Sequence, residues 1–345
     1  VSAGSAEGAG AGERARGFDV ARLFAFAWRV VGKVPDPVVR GLFRLVADVA
    51  WLLRGSGVRQ LEANLRRVRP QARPEEVRRL TLLGMRSYMR YYGEAFALVG
   101  VSPAQIAARV RLHNPGEVVE QIEAGRMVVM GLGHLGNWDL AGAWATTHLG
   151  RTVTVAERLK PEALFQEFLR FREGLGLEII PLSGAGGGVF RELVRAVKQG
   201  PGGLVPLLAD RDLTARGVEV DLFGERARVA AGPAALAVAT GAPLCAASIT
   251  YERLRGERRR AAGTAWGVVI EFGRLLTVPQ DVPKQDRVRV LTQAWVDDLA
   301  AGIDRAPQDW HMLQKVFVAD LDPERYARTR AAAGETAGPA PQGVA

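Results

Sequence analysis

Met130-Gly131-Leu132-Gly133-His134-Leu135-Gly136-Asn137-Trp138-Asp139 joins two kinds of sequence. An apolar segment, residues 127–132, leads into it, and an amphipathic segment, residues 138–149, follows. A short apolar run bounded by glycines predicts a buried strand, and the segment after it predicts a helix. His134, one of only four histidines, then lies on the turn between them, at the carboxyl edge of a sheet. Sites in open α/β sheets gather at that edge. An imidazole there titrates near neutral pH and can accept a proton from an incoming hydroxyl. The competing reading is a histidine that merely occupies a loop or caps a helix.

Working outward, strand-like and helix-like runs alternate. Strands are predicted over 126–133, 151–156, 177–181, 203–209 and 242–251. Helices are predicted over 75–98, 161–173, 189–199, 233–240 and 287–303. This alternation implies parallel strands joined by crossover helices. The expected fold is α/β, a mostly parallel central sheet flanked by helices, with amphipathic helices at the amino terminus. The chain divides into a disordered tail (1–17), a helical membrane-associated region (18–100), an α/β domain (101–330) and a second tail (331–345). Both tails are too poor in large apolar residues to offset the entropy of ordering.

The chain has 345 residues, 48% of them hydrophobic, enough for a substantial core. Its single cysteine, Cys245, excludes an internal disulfide framework and a cysteine metal cluster. The net charge is +9, and residues 1–70 carry 12 Lys/Arg against 6 Asp/Glu. Those basic residues are interleaved with large apolar ones, a pattern for lipid rather than nucleic acid. No secretory signal or run of about eighteen uncharged apolar residues is visible, so the expected state is soluble or on a membrane surface. Two amphipathic segments, 18–31 and 37–53, set aromatic and aliphatic residues against arginines. They suit an interfacial helix, whose rings enter the headgroup boundary while arginines meet phosphate. The alternative is that they cover the core. That choice stays open for the first segment; the second is assigned to the core.

His134 has two possible partners. Asp139 lies five residues on and reaches it only if the histidine precedes the helix; Asp139 can instead hold the turn through backbone hydrogen bonds. The other partner lies in Asp210-Arg211-Asp212, which follows the apolar run 204–209 and so sits at another strand's carboxyl edge. An acid there can orient the imidazole tautomer and stabilise the imidazolium. The first amides of the helix after His134, at Gly136 and Asn137, are candidate donors to an oxyanion. Alternatively, the glycines of this stretch only permit tight strand–helix packing.

GLGHLGNWD resembles the motif of the bacterial lipid A biosynthesis acyltransferases and the related phosphatidylinositol mannoside acyltransferases. The resemblance runs from about Val34 to Lys315. Within it, Glu157-Arg158-Leu159 is similar to an ERL segment and Phe171-Arg172 to the start of an FR-x-x-x-G segment. Phe223-Gly224-Glu225 with Ala231-Gly232-Pro233 is similar to the loop before the family's next helix, near the acyl path. Pro307-Gln308-Asp309-Trp310-His311 is similar to a PxxW-aromatic element. The resemblance implies that Asp210 partners His134 and that Glu157, Arg172, Arg211 and His311 contact substrate. The candidate catalytic set is His134, Asp210 and Asp139.

What the resemblance implies chemically is transfer of a fatty acyl group from acyl-CoA to a hydroxyl of a membrane glycolipid. GHLGNWDLAGAW, ERLKPE and ADRDLTARGVEV look closest to the branch that acylates a mannose of phosphatidylinositol mannosides. The lipid A branch is the runner-up. Expected partners are acyl-CoA, mannosylated phosphatidylinositol and an anionic membrane surface, with peripheral attachment at the cytoplasmic face of the cell membrane. No metal, cofactor or nucleic acid is expected. Two rivals remain: a metal-dependent hydrolase using His134, Asp139, Asp210 and Asp212, and a non-catalytic adaptor on the membrane surface.

Overall fold

A computed structural model describes residues 34–157, 162–182 and 187–332. Three helices come first: α1 (Asp36–Leu53), α2 (Ser56–Val68) and α3 (Pro74–Ala97). After α4 (Pro103–Arg109) the chain alternates: β1 (Val110–His113), α5 (Gly116–Glu123), β2 (Met127–Leu132), α6 (Trp138–His148), β3 (Arg151–Glu157), α7 (Glu162–Gly174), β4 (Glu178–Leu182), α8 (Gly187–Gln199), β5 (Gly203–Leu208). A hairpin, β6 (Val218–Leu222) and β7 (Glu225–Val229), precedes α9 (Gly232–Thr240) and β8 (Leu244–Arg253). Then follow α10 (Gly256–Ala262), β9 (Trp266–Leu276), α11 (Arg287–Arg305) and α12 (Pro323–Ala332).

Seven strands form one sheet in the order β1-β9-β8-β2-β5-β3-β4. Five of them, β8 through β4, run parallel, while β9 returns antiparallel along β8 and carries β1 beside it. The fold is therefore α/β with a mostly parallel sheet. All six residues of β2 are buried, because both faces are covered. Val129 packs on the side of α9 and α11, while Met130 and Leu132 face α6.

The sheet register positions the site. Leu132 at the end of β2 pairs with Leu208 at the end of β5. The Ala209 amide extends the ladder by donating to the Leu132 carbonyl at 2.8 Å. Two residues past each strand, His134 and Asp210 face each other across the same edge.

Three expectations change. The loop around Phe223 and Gly224 is the turn of the β6–β7 hairpin, both residues adopting positive φ (57° and 78°) as a tight hairpin turn requires. The α1 segment is core on one face only: Val39 and Ala47 are buried, but Val38, Leu42, Leu45, Val49 and Leu52 are exposed. Their spacing of four and three residues lines them up as a second apolar stripe beside the buried one. Of the segment expected as a second tail (331–345), residues 331–332 belong to α12. The segment 18–31 and the rest of both tails lie outside the described residues.

Candidate active site

Asp210 is 1% exposed and makes three hydrogen bonds. Its Oδ1 meets His134 Nδ1 at 2.6 Å, and its Oδ2 accepts from the His134 backbone amide and the Trp310 indole, both at 2.9 Å. A carboxylate only accepts, so Nδ1 carries the proton and Nε2 is left as the basic nitrogen. Burial disfavours charge on His134, but the Asp210 carboxylate outweighs it and raises the imidazole pKa above its ordinary 6.5. Burial works against Asp210 as well; the histidine and the donors around it nevertheless hold its pKa below the usual range.

One short segment holds this pair in place. The Gly136 amide donates to the Asp309 carbonyl at 2.9 Å, and the His311 amide to the His134 carbonyl at 2.7 Å. Asp309 Oδ2 accepts the Tyr251 amide at 2.8 Å. The His311 ring is buried, its Nε2 lying 3.0 Å from Ser87 Oγ. Burial, with help from Arg90 and His134, pushes its pKa down to about 3, so at physiological pH the ring is neutral, with a proton on only one of its two nitrogens.

These contacts engage one of the two candidate oxyanion donors. The Gly136 amide already serves Asp309, and a Cβ on Gly136 would meet the Ile249 carbonyl oxygen at 2.3 Å. With φ +54°, this glycine answers a close packing need rather than a substrate's approach. Asn137 is fully buried as the α6 cap: its Oδ1 accepts from the Leu140 amide at 2.9 Å, and its Nδ2 donates to Glu94 at 2.8 Å.

Asp139 does not meet His134. Its Oδ1 accepts from Arg172 Nε at 2.8 Å and its Oδ2 from the Tyr91 hydroxyl at 2.7 Å. Burial opposes the Arg172 charge, yet Asp139 and Tyr91 together raise its pKa. Asp139 and Arg172 thus meet each other, and Tyr91 ties them to α3. Arg211 Nε donates to the Lys315 carbonyl at 3.0 Å. Glu157 ends β3; its side chain and Arg158 lie outside the described residues. Among the described residues, no group of three or more His, Cys, Asp or Glu side chains could hold a metal ion.

His134 opens into a cavity of about 1580 Å³. Part of it lies between α6 and the sheet, walled by Ala141, Ala145, Met130, Leu132, Leu204 and Phe272. The small residues of α6 leave that space where larger ones would fill it. The other part is polar and is bordered by Gln60, Asp212, Thr214, Lys315 and Tyr326. His134 thus stands where the apolar and the polar parts of the cavity meet.

The family model for bacterial lipid A biosynthesis acyltransferase matches residues 16–318. The chain belongs to this family. The acyltransferase is 38% identical over 309 residues to the phosphatidylinositol mannoside acyltransferase of Mycolicibacterium smegmatis, covering 88% of this chain and 93% of that protein. It is also 38% identical over 312 residues to the protein of the same name from Mycobacterium tuberculosis strain H37Rv, covering 89% and 91%. The solved 1-acyl-sn-glycerophosphate (LPA) acyltransferase PlsC of Thermotoga maritima aligns over 78% of this chain and 96% of its own, at 14% identity and a TM-score of 0.33. So slight a likeness adds nothing to the fold described above.

Two participants in this acyltransferase escaped sequence reading. Tyr91 belongs to a regular amphipathic helix, where a tyrosine that donates to a buried carboxylate reads like any core aromatic. Tyr326 lies next to the alanine-rich tail, and nothing local marks it as part of a cavity wall.

Proposed function

We propose that this acyltransferase moves a fatty acyl group from acyl-CoA to a mannose hydroxyl of a phosphatidylinositol mannoside. The observation that carries the reading is the placement of the His134–Asp210 pair at the junction of apolar channel and polar mouth. The acyl chain lies in the channel, and the sugar approaches through the mouth. Nε2 of His134 takes the hydroxyl proton as the oxygen attacks the thioester carbonyl. The C–O bond forms, the tetrahedral intermediate collapses, the C–S bond breaks, and CoA leaves as a thiolate that accepts the proton from the imidazolium. Asp210 holds the tautomer and stabilises the transient imidazolium. A thioester is already activated, so the transfer requires neither metal nor cofactor.

The 38% identity to two phosphatidylinositol mannoside acyltransferases supports this acceptor over a lipid A precursor. No described helix is long and apolar enough to cross a membrane. The exposed α1 stripe supports peripheral attachment, with Leu42, Leu45 and Leu52 set in the bilayer surface and Arg44 against anionic headgroups. We place this attachment at the cytoplasmic face. The test is transfer from labelled palmitoyl-CoA to mannosylated phosphatidylinositol, unmannosylated phosphatidylinositol and a lipid A precursor. Labelled product only with the mannosylated lipid is expected; equal labelling of the lipid A precursor would overturn the acceptor.

A further inference from the structure

The polar mouth has a wall that the family match does not include. The match ends at residue 318, and α12 begins beyond it, at Pro323. Yet Leu321, Tyr326 and Thr329 line the same cavity as His134. The helix is anchored rather than loosely draped. The Tyr326 hydroxyl donates to Glu219 of β6, and Arg330 Nε lies 3.7 Å from the same carboxylate. Glu219 also faces Arg228 at 3.4 Å and Arg226 at 3.5 Å. Arg228 is fully buried, with its guanidinium 5.8 Å from the Tyr326 ring centre. Four groups from two elements therefore converge on one carboxylate and fix α12 against the hairpin.

The charge pattern of the mouth decides which substrate this wall meets. Asp212 and Asp322 line it together with Arg211 and Lys315. Among the described residues two acids stand beside two bases, a mixed surface rather than a cluster of like charge. Sugar hydroxyls donate to carboxylates and accept from cations, and suit a mixed surface.

We propose that α12 forms one side of the acceptor site, and that Tyr326 and Thr329 limit the size of the sugar headgroup that reaches His134. The inference rests on the functional reading above.

Two full-length variants push the wall in opposite directions. Thr329→Trp narrows the mouth, and Tyr326→Ala removes the ring and its anchor to Glu219. Steady-state kinetics are measured with palmitoyl-CoA and with phosphatidylinositol carrying one or two mannoses. Thr329→Trp should raise KM for the two-mannose lipid by about tenfold and for the one-mannose lipid by less, the scale of a steric misfit in a pocket. Tyr326→Ala should bring the two acceptors closer together in kcat/KM. The palmitoyl-CoA KM should change less than about twofold in both, since that scale is under half a kcal/mol. Equal effects on both acceptors, or a shift confined to palmitoyl-CoA, overturn the inference. If the unmodified chain acylates neither lipid, the functional reading itself fails and takes this inference with it.

Discussion

Asp210 and Asp139 are the same residue type, both almost fully buried, and both beside the carboxyl edge of the sheet. Their partners differ. Asp210 pairs with an imidazole that can gain and lose a proton near neutral pH, whereas Asp139 pairs with a guanidinium that stays charged. The first pair can therefore take part in proton transfer. The second is a fixed ion pair that joins α6 to α7 and, through Tyr91, to α3. Burial makes each carboxylate costly to leave alone, but only the partner decides whether the cost serves chemistry or architecture.

The largest effect that would break this contrast comes from His134→Ala. Transfer should fall by at least about a hundredfold, the scale of losing a general base. Far-ultraviolet circular dichroism and the urea midpoint should stay near those of the parent, because the His134 side chain is 39% exposed and its backbone bonds survive the change. A folded variant with near-parental rate would sink the assignment of His134 as base.

Next comes the comparison of Asp210→Asn with Asp139→Asn. In the first, turnover per folded molecule should fall more, because the imidazolium loses its counter-charge. The second should lower the unfolding free energy by about 2–3 kcal/mol, since Arg172 keeps a charge with little access to water. Urea titration and kcat measured on the same preparations separate the two. The reverse ordering, with Asp139→Asn hurting turnover more, would pass the partner's role to Asp139.

The two pairs should also differ in pH dependence. A general base acts when neutral, and Asp210 raises the His134 pKa. Activity of the parent should therefore rise with pH through a midpoint above 6.5, the ordinary imidazole value. With Asp210→Asn the raising influence is gone, and burial with the nearby Arg211 and Arg172 charges remains, so the midpoint should move down. Asp139→Asn should leave it nearly unmoved. A kcat/KM profile of Asp210→Asn that coincides with the parent's, or lies to its alkaline side, would show that Asp210 does not set the proton affinity of His134.

How much of this was legible in the sequence follows from where the information lies. The strand β2, the turn after it and α6 are local: an apolar run, a glycine-bounded histidine and a helix cap in consecutive residues. The parallel strands β3, β4, β5 and β8 were legible for the same reason. β1 escaped because four residues are too short for a period to show, and β9 because Glu271, Gly273 and Arg274 interrupt its apolar pattern. Partner choice was harder still. Whether His134 meets Asp139 or Asp210 depends on the β2–β5 register, a contact between residues 76 apart. The residues alone left both open, and family resemblance favoured the pair that the register brings together. One oxyanion candidate is obscured for a related reason: the Gly136 amide looks available until the 309–311 segment folds over it.

The smallest effect concerns α1, where one helix presents two apolar stripes. One buries Val39 and Ala47; the other exposes Leu42, Leu45 and Leu52. If the exposed stripe rests in a bilayer, Leu45→Ser with Leu52→Ser should weaken flotation with anionic vesicles severalfold, a loss of about 1 kcal/mol of apolar insertion. Stability should barely change, because neither side chain is in the core. Arg44 stands exposed beside the stripe, so binding by the parent should also fall as salt is raised. Transfer to an acceptor dispersed in detergent should be spared, since the substitutions lie on a helix face turned away from the packed side. Unchanged flotation with both serines in place would separate α1 from the membrane and leave its exposed stripe to some other surface.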